Sequence, residues 1–62
     1  MYIIAYKVHQ FEYYLKFTIS PEYYKRYETV GLKDNATMFN TKHSAEEIAS
    51  KFHKKEAYVI LF

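Results

Sequence analysis

The apolar pattern of residues 1–19 mirrors itself about His9-Gln10. Phe11, Tyr13, Leu15, Phe17 and Ile19 alternate with Glu12, Lys16 and Thr18, with Tyr14 as the exception. That period of two marks a half-buried strand. Met1–Val8 is β-branched and aromatic on both faces, as a central strand is. If the two strands meet at His9-Gln10, Val8 faces Phe11, Tyr6 faces Tyr13, Ile4 faces Leu15 and Tyr2 faces Phe17. The other face then pairs Lys7 with Glu12, Ala5 with Tyr14 and Ile3 with Lys16. One register aligns an apolar ladder and an opposite-charge pair together, and each cross-strand pair is worth roughly 0.2–1 kcal/mol. Loops of two or four residues preserve that register, and a three-residue loop breaks it.

A hairpin alone does not hold in water, so the rest of the chain must cover it. The chain has 62 residues, enough for a single domain spanning 1–62. A domain of this size buries only about 60% of its unfolded surface and is marginal by itself. Cysteine is absent, which removes disulfides and thiolate metal sites from consideration and fits a reducing cytoplasm. Half the residues are hydrophobic and 21% are aromatic, so the chain is built to fold. A formal net charge of +2 is too weak to demand a polyanionic partner. No basic segment followed by an apolar core opens the sequence, so no signal peptide is expected. The longest apolar runs, YIIAY and YVILF, fall far short of a membrane span.

Thr41 is placed to cap a helix starting at Lys42, and a start at Ser44 would form a capping box with Glu47. Ala45, Ile48, Ala49 and Phe52 recur at i, i+3, i+4 and i+7, which makes one apolar stripe. Glu47 and Lys51 have favourable i,i+4 spacing, and Lys54 and Lys55 suit the negative end of the helix dipole. Residues 57–62 (AYVILF) have the content of a buried strand. The middle is less determined. Ser20-Pro21-Glu22 reads as a helix start, with Tyr23, Tyr27 and Val30 on one face, although a strand fits the same residues. Residues 31–35 are expected to form a loop, and residues 36–39 a short strand. The order is β-β-(short helix or loop)-(β)-α-β. The expected fold class is α+β, with a small antiparallel or mixed sheet, made of the hairpin and the C-terminal strand, packed on one principal helix.

One helix covers one face of such a sheet. The other face would carry Ile3, Ala5 and Tyr14, and soluble monomers rarely leave large apolar patches open. The expectation is a homodimer or partner-binding module that uses an aromatic sheet face. The stretch PEYYKRYE, residues 21–28, sets tyrosines beside cations, as protein interfaces do. Tyr14, Tyr23, Tyr24, Lys25, Arg26 and Tyr27 are therefore the candidate partner-binding residues. The same rings and cations could hold single-stranded nucleic acid by stacking and phosphate pairing, though Glu22 and Glu28 dilute the positive field. The bland reading keeps Tyr23 and Tyr27 at the core edge with Lys25 and Arg26 solvated.

Catalytic chemistry finds no foothold in the pattern. His9, His43 and His53 lack the spacing of a zinc site, one glycine cannot make a phosphate loop, and no nucleophile stands beside a base. The expectation is a non-enzyme without metal or cofactor. The stretch from Met38 to Phe52, MFNTKHSAEEIASKF, with the opening MYII, resembles a pattern of very small phage and prophage proteins. In these, a strand ending in Phe leads through a Thr-Lys helix start to an alanine-rich helix and a last strand. The middle of the chain departs from that pattern. The resemblance implies an accessory protein of a mobile element, acting in the host cytoplasm by binding a host protein such as a component of antiviral defence.

Overall fold

The computed structural model describes residues 1–52 and 56–62. Four strands, β1 (Tyr2–Val8), β2 (Phe11–Phe17), β3 (Tyr27–Val30) and β4 (Ala57–Leu61), form one antiparallel sheet in the order β3-β2-β1-β4. A single helix, α1 (Lys42–Ala49), packs on one face. The α+β class and the sheet-on-helix arrangement expected from the sequence are what the chain adopts.

The β1–β2 hairpin closes in the expected register. Val8 pairs with Phe11, Lys7 with Glu12, Tyr6 with Tyr13 and Ala5 with Tyr14. The loop is the two-residue form, and His9 takes φ 56 there, a position where glycine is the easier choice. The register then stops. The expected pairs Ile4–Leu15, Ile3–Lys16 and Tyr2–Phe17 do not form, because residues 37–39 are driven between the two strands. Phe39 exchanges both backbone hydrogen bonds with Tyr2, at 2.8 and 2.9 Å. Thr37 N–H donates to the Leu15 carbonyl at 3.0 Å, and Thr37 Oγ1 accepts from the Phe17 N–H at 2.8 Å. The wedge thus supplies partners to the backbone groups that each strand would have offered the other, and buried backbone groups seldom go without one. In place of the short strand expected at 36–39 stands this single bridge.

The wedge also explains how the chain crosses the sheet. After β3, one 3-10 turn (Lys33–Asn35) lies behind β2. Ala36 and Met38 then pack on the rear face against Ile3, Ala5 and Tyr14. Phe39 emerges in the front core, and Thr41 starts α1 as expected, its Oγ1 accepting from the Ser44 N–H at 3.1 Å. The rear face is therefore covered in cis: Ile3 and Ala5 are fully buried, and Tyr14 is only 9% exposed. Ile3, Ala5 and Tyr14, the residues on which the expected sheet-face interface rested, are thus covered within the chain.

The front core consists of Ile4, Leu15, Phe17, Phe39, Ala45, Ile48, Ala49 and Ala57, edged by Tyr2, Tyr6, Tyr24, Tyr27, Phe52 and Val59. Eight helical residues span about 12 Å, against about 23 Å for a seven-residue strand. Hence α1 does not reach the hairpin tip, and Val8 and Phe11, expected under the helix, are exposed. The Glu47–Lys51 pair is replaced by others. Glu47 meets His43 Nε2 at 3.1 Å, and Lys51 Nζ lies 5.4 Å from the centre of the Tyr24 ring. The roles expected for His53, Lys54 and Lys55 lie outside the described residues. No helix among the described residues is long and apolar enough to cross a membrane.

Candidate functional site

Ser20-Pro21-Glu22 opens a turn, not a helix. The Tyr23 N–H donates to the Ser20 carbonyl at 2.8 Å, which closes a β-turn with Pro21 at its second position, where a fixed φ near −65° fits. The Arg26 N–H repeats the step onto the Tyr23 carbonyl at 2.8 Å. The Arg26 carbonyl then accepts from both the N–H and the hydroxyl of Thr18, at 2.9 and 3.1 Å, so the paired turns are tied to the end of β2. Serine and proline serve a turn for the same reasons that they serve a helix start, which is why the local sequence misleads here.

The turns split the six candidate residues. Tyr23, Tyr24, Lys25 and Arg26 surround, with Glu22, an open cleft of about 260 Å³. Tyr23 is 60% exposed. Tyr24 is half-buried, its ring edge-on to Phe52 at 5.7 Å and topped by Lys51. Tyr27 leaves the group. As the first residue of β3 it packs on Phe52 at 5.3 Å and Tyr6 at 6.1 Å, inside the front aromatic cluster. Tyr14 lies on the opposite face of the sheet as a core residue. The Tyr23–Arg26 cleft is thus a pre-shaped concavity with mostly apolar walls and a rim on which Lys25 and Arg26 outnumber Glu22. It can seat one apolar side chain and pair with acidic neighbours. Sequence reasoning assigned Lys51 to Glu47 and so missed its place above Tyr24.

A second polar group sits behind the sheet. Glu12 accepts from the Tyr14 hydroxyl at 2.9 Å and from the Tyr58 hydroxyl, while Lys33 stands 5.9 Å from the Tyr14 ring centre. The Tyr58 and then the Tyr14 hydrogen bond hold the Glu12 carboxyl below its usual range. In return Glu12 pushes the Tyr58 phenol up to about 12. Burial, followed by the neighbouring Tyr27, raises Tyr6 to about 12 as well. The cluster joins β2 to β4 across β1, and no local pattern in the sequence announces it. Its donors and acceptors are paired with one another, so it is a brace across the sheet.

The signs of these shifts set the pH behaviour. Folding favours neutral Tyr6 and Tyr58, so their contribution is complete below pH 10 and fades as pH rises from 10 toward about 12. Folding favours ionised Glu12, so that contribution is complete above the ordinary carboxylate range and is lost as pH falls through its lowered value. In Tyr58→Phe the Glu12 midpoint, followed by carboxyl-carbon NMR, should move up toward the ordinary value. An unmoved midpoint would show that the phenol is not what holds the carboxylate.

Comparison with known proteins brings no matching family, no matching curated protein and no matching solved structure, so the reading of this site rests on its own geometry.

Proposed function

We propose that the chain is a non-enzymatic protein-binding module that docks through the Tyr23–Arg26 turn. The observation that carries this reading is the cleft itself: an exposed ring and two cations held on a turn whose backbone is pinned to β2 and whose floor, Tyr24, is packed on Phe52. A surface ordered before binding loses little entropy on docking, and tyrosine and arginine are frequent anchors of interfaces. The partner that suits it presents an apolar side chain flanked by carboxylates. Together with the resemblance of the helix region to small phage proteins, this favours a host protein as the target and inhibition of a host defence factor as the outcome.

Tyr23 and Arg26 are the residues to test, because both are exposed. Tyr24 also supports the core and would confound the result. Wild-type protein and the Tyr23→Ala/Arg26→Ala double variant are used as bait in lysate of the native host, with and without nuclease, after both give the same thermal melt. A host protein retained by the wild type, resistant to nuclease and lost from the double variant supports the reading. Loss of anchors of this kind typically weakens binding by ~2 kcal/mol or more. Retention by both baits at equal strength rejects the turn. Capture abolished by nuclease, with affinity falling log-linearly with salt, would assign the turn to nucleic acid instead.

A further inference from the structure

The two edges of the sheet are treated differently by the sequence. The outer strand β3 is four residues long and carries the charge of Glu28, features that discourage further pairing. The opposite edge, β4, reads Ala57-Tyr58-Val59-Ile60-Leu61 and has no charge, proline or glycine. Its register with β1 fixes which backbone groups point outward. Phe62 and Met1 exchange hydrogen bonds, and the Lys7 N–H donates to the Glu56 carbonyl, so Phe62, Ile60, Tyr58 and Glu56 face β1. The N–H and C=O groups of Ala57, Val59 and Leu61 therefore point away from the sheet, and among the described residues none has a backbone partner.

A knob and a hole lie along the same edge. Leu61 stands opposite Tyr2 and so projects on the helix side of the sheet, where it is 71% exposed. At the other end of β4, a groove of about 480 Å³ opens between the strand and α1, lined by Ala49, Ser50, Ala57 and Val59 with Lys42 and Glu46 on its helical wall. We propose that β4 is the interface for a second copy of this chain, which pairs antiparallel to it about a two-fold axis through Val59.

In that register Val59 lies opposite Val59 of the partner subunit, and Ala57 lies opposite Leu61 of the partner subunit. Every outward N–H and C=O of the three residues then gains a partner. Directly opposed residues project on the same face, so each exposed leucine enters the groove above the other copy's small alanine. The two-fold does this twice, as an isologous interface requires. The helical wall carries one cation and one anion a turn apart, so antiparallel copies of it meet without net repulsion. A different strand could pair with the edge, but a second copy brings a knob and a hole in the register that this pairing requires. The resulting eight-stranded sheet places the two 20–26 turns at its far ends, since they join β2 to β3 at the opposite edge.

The proposal is independent of what the turn binds, and its test is chosen accordingly. Sedimentation equilibrium at micromolar concentration should give a dimer for the wild type. Leu61→Lys, which puts a charge on the edge, should raise the dimer dissociation constant about tenfold or more. Val59→Pro removes an outward N–H that β1 does not use, together with some side-chain packing at the core edge, and should also dissociate the dimer. Circular dichroism confirms that both remain folded. Amide exchange at Val59 and Leu61 should slow as concentration rises. A monomeric wild type with fast exchange at these amides overturns the proposal. So does a dimer that Leu61→Lys and Val59→Pro leave intact, or one that Tyr23→Ala dissociates instead.

Discussion

Phe52→Ala should remove a third or more of the folding stability of this chain at room temperature. Phe52 follows α1, and its ring is the hub of the front aromatic cluster. Tyr27, Tyr24, Tyr6 and Phe17 surround it at 5.3, 5.7, 6.1 and 6.3 Å, each tilted or edge-on. Such pairs contribute about 0.5–1.5 kcal/mol each beyond the area they bury. The four neighbours come from β1, β2, β3 and the 20–26 turn, so the ring ties the helix end to elements that do not otherwise share one contact point. Half-buried rather than enclosed, Phe52 falls at the low end of aromatic truncations, with an expected cost of about 3 kcal/mol. A chain of this length has about 3–9 kcal/mol of stability in all. Urea titration followed by circular dichroism measures the loss, and Phe52→Leu, which keeps most of the volume, should recover more than half of it. A cost below about 1 kcal/mol for the alanine variant would mean that the rings close over the gap and that Phe52 is no hub. The candidate cleft depends on the same ring, because Tyr24 rests on it.

What the sequence revealed and what it hid follow from range. The hairpin register was legible because Lys7–Glu12 and the apolar ladder are local, and both demand the same alignment. The start of α1 was legible because Thr41 lies three residues from the amide that it caps. The wedge was not. Thr37 and Phe39 belong to the sheet only because β1 and β2 part at one end, and a period-two pattern looks the same in strands that stay paired and strands that do not. The cover on the rear face was hidden for the same reason: Ala36 and Met38 are too few to advertise a layer. At the 20–26 turn the residue types were read correctly and the geometry was not, since Ser-Pro-Glu starts turns and helices alike. Of the six residues singled out there and at Tyr14, the fold gathers four around one cleft and assigns Tyr14 and Tyr27 to packing. Lys51 stands over the Tyr24 ring, a contact that a helical i,i+4 rule cannot foresee.

Thr37→Val should destabilise the fold even though valine is nearly the same shape and forms strands at least as well. The hydroxyl of Thr37 is the acceptor for the Phe17 N–H, and its own N–H serves the Leu15 carbonyl. Both groups point toward the place β1 would occupy if the hairpin stayed closed. Valine keeps the second bond and deletes the first, leaving a main-chain donor beside a buried phenylalanine without a partner. An orphaned donor of that kind costs about 1–3 kcal/mol, a large share of what so small a domain possesses. Thr37→Ser retains the oxygen and should lose well under 1 kcal/mol in the same urea titration. The Phe17 amide supplies a local readout, since its hydrogen exchange should quicken in the valine variant and stay slow in the serine one. If valine matched the wild type in both measurements, the partners of Leu15 and Phe17 would have to come from Ile4 and Tyr2 after all. The hairpin would then be closed along its length, and the path that carries the chain from the rear face of the sheet to the helix would have to run around its edge.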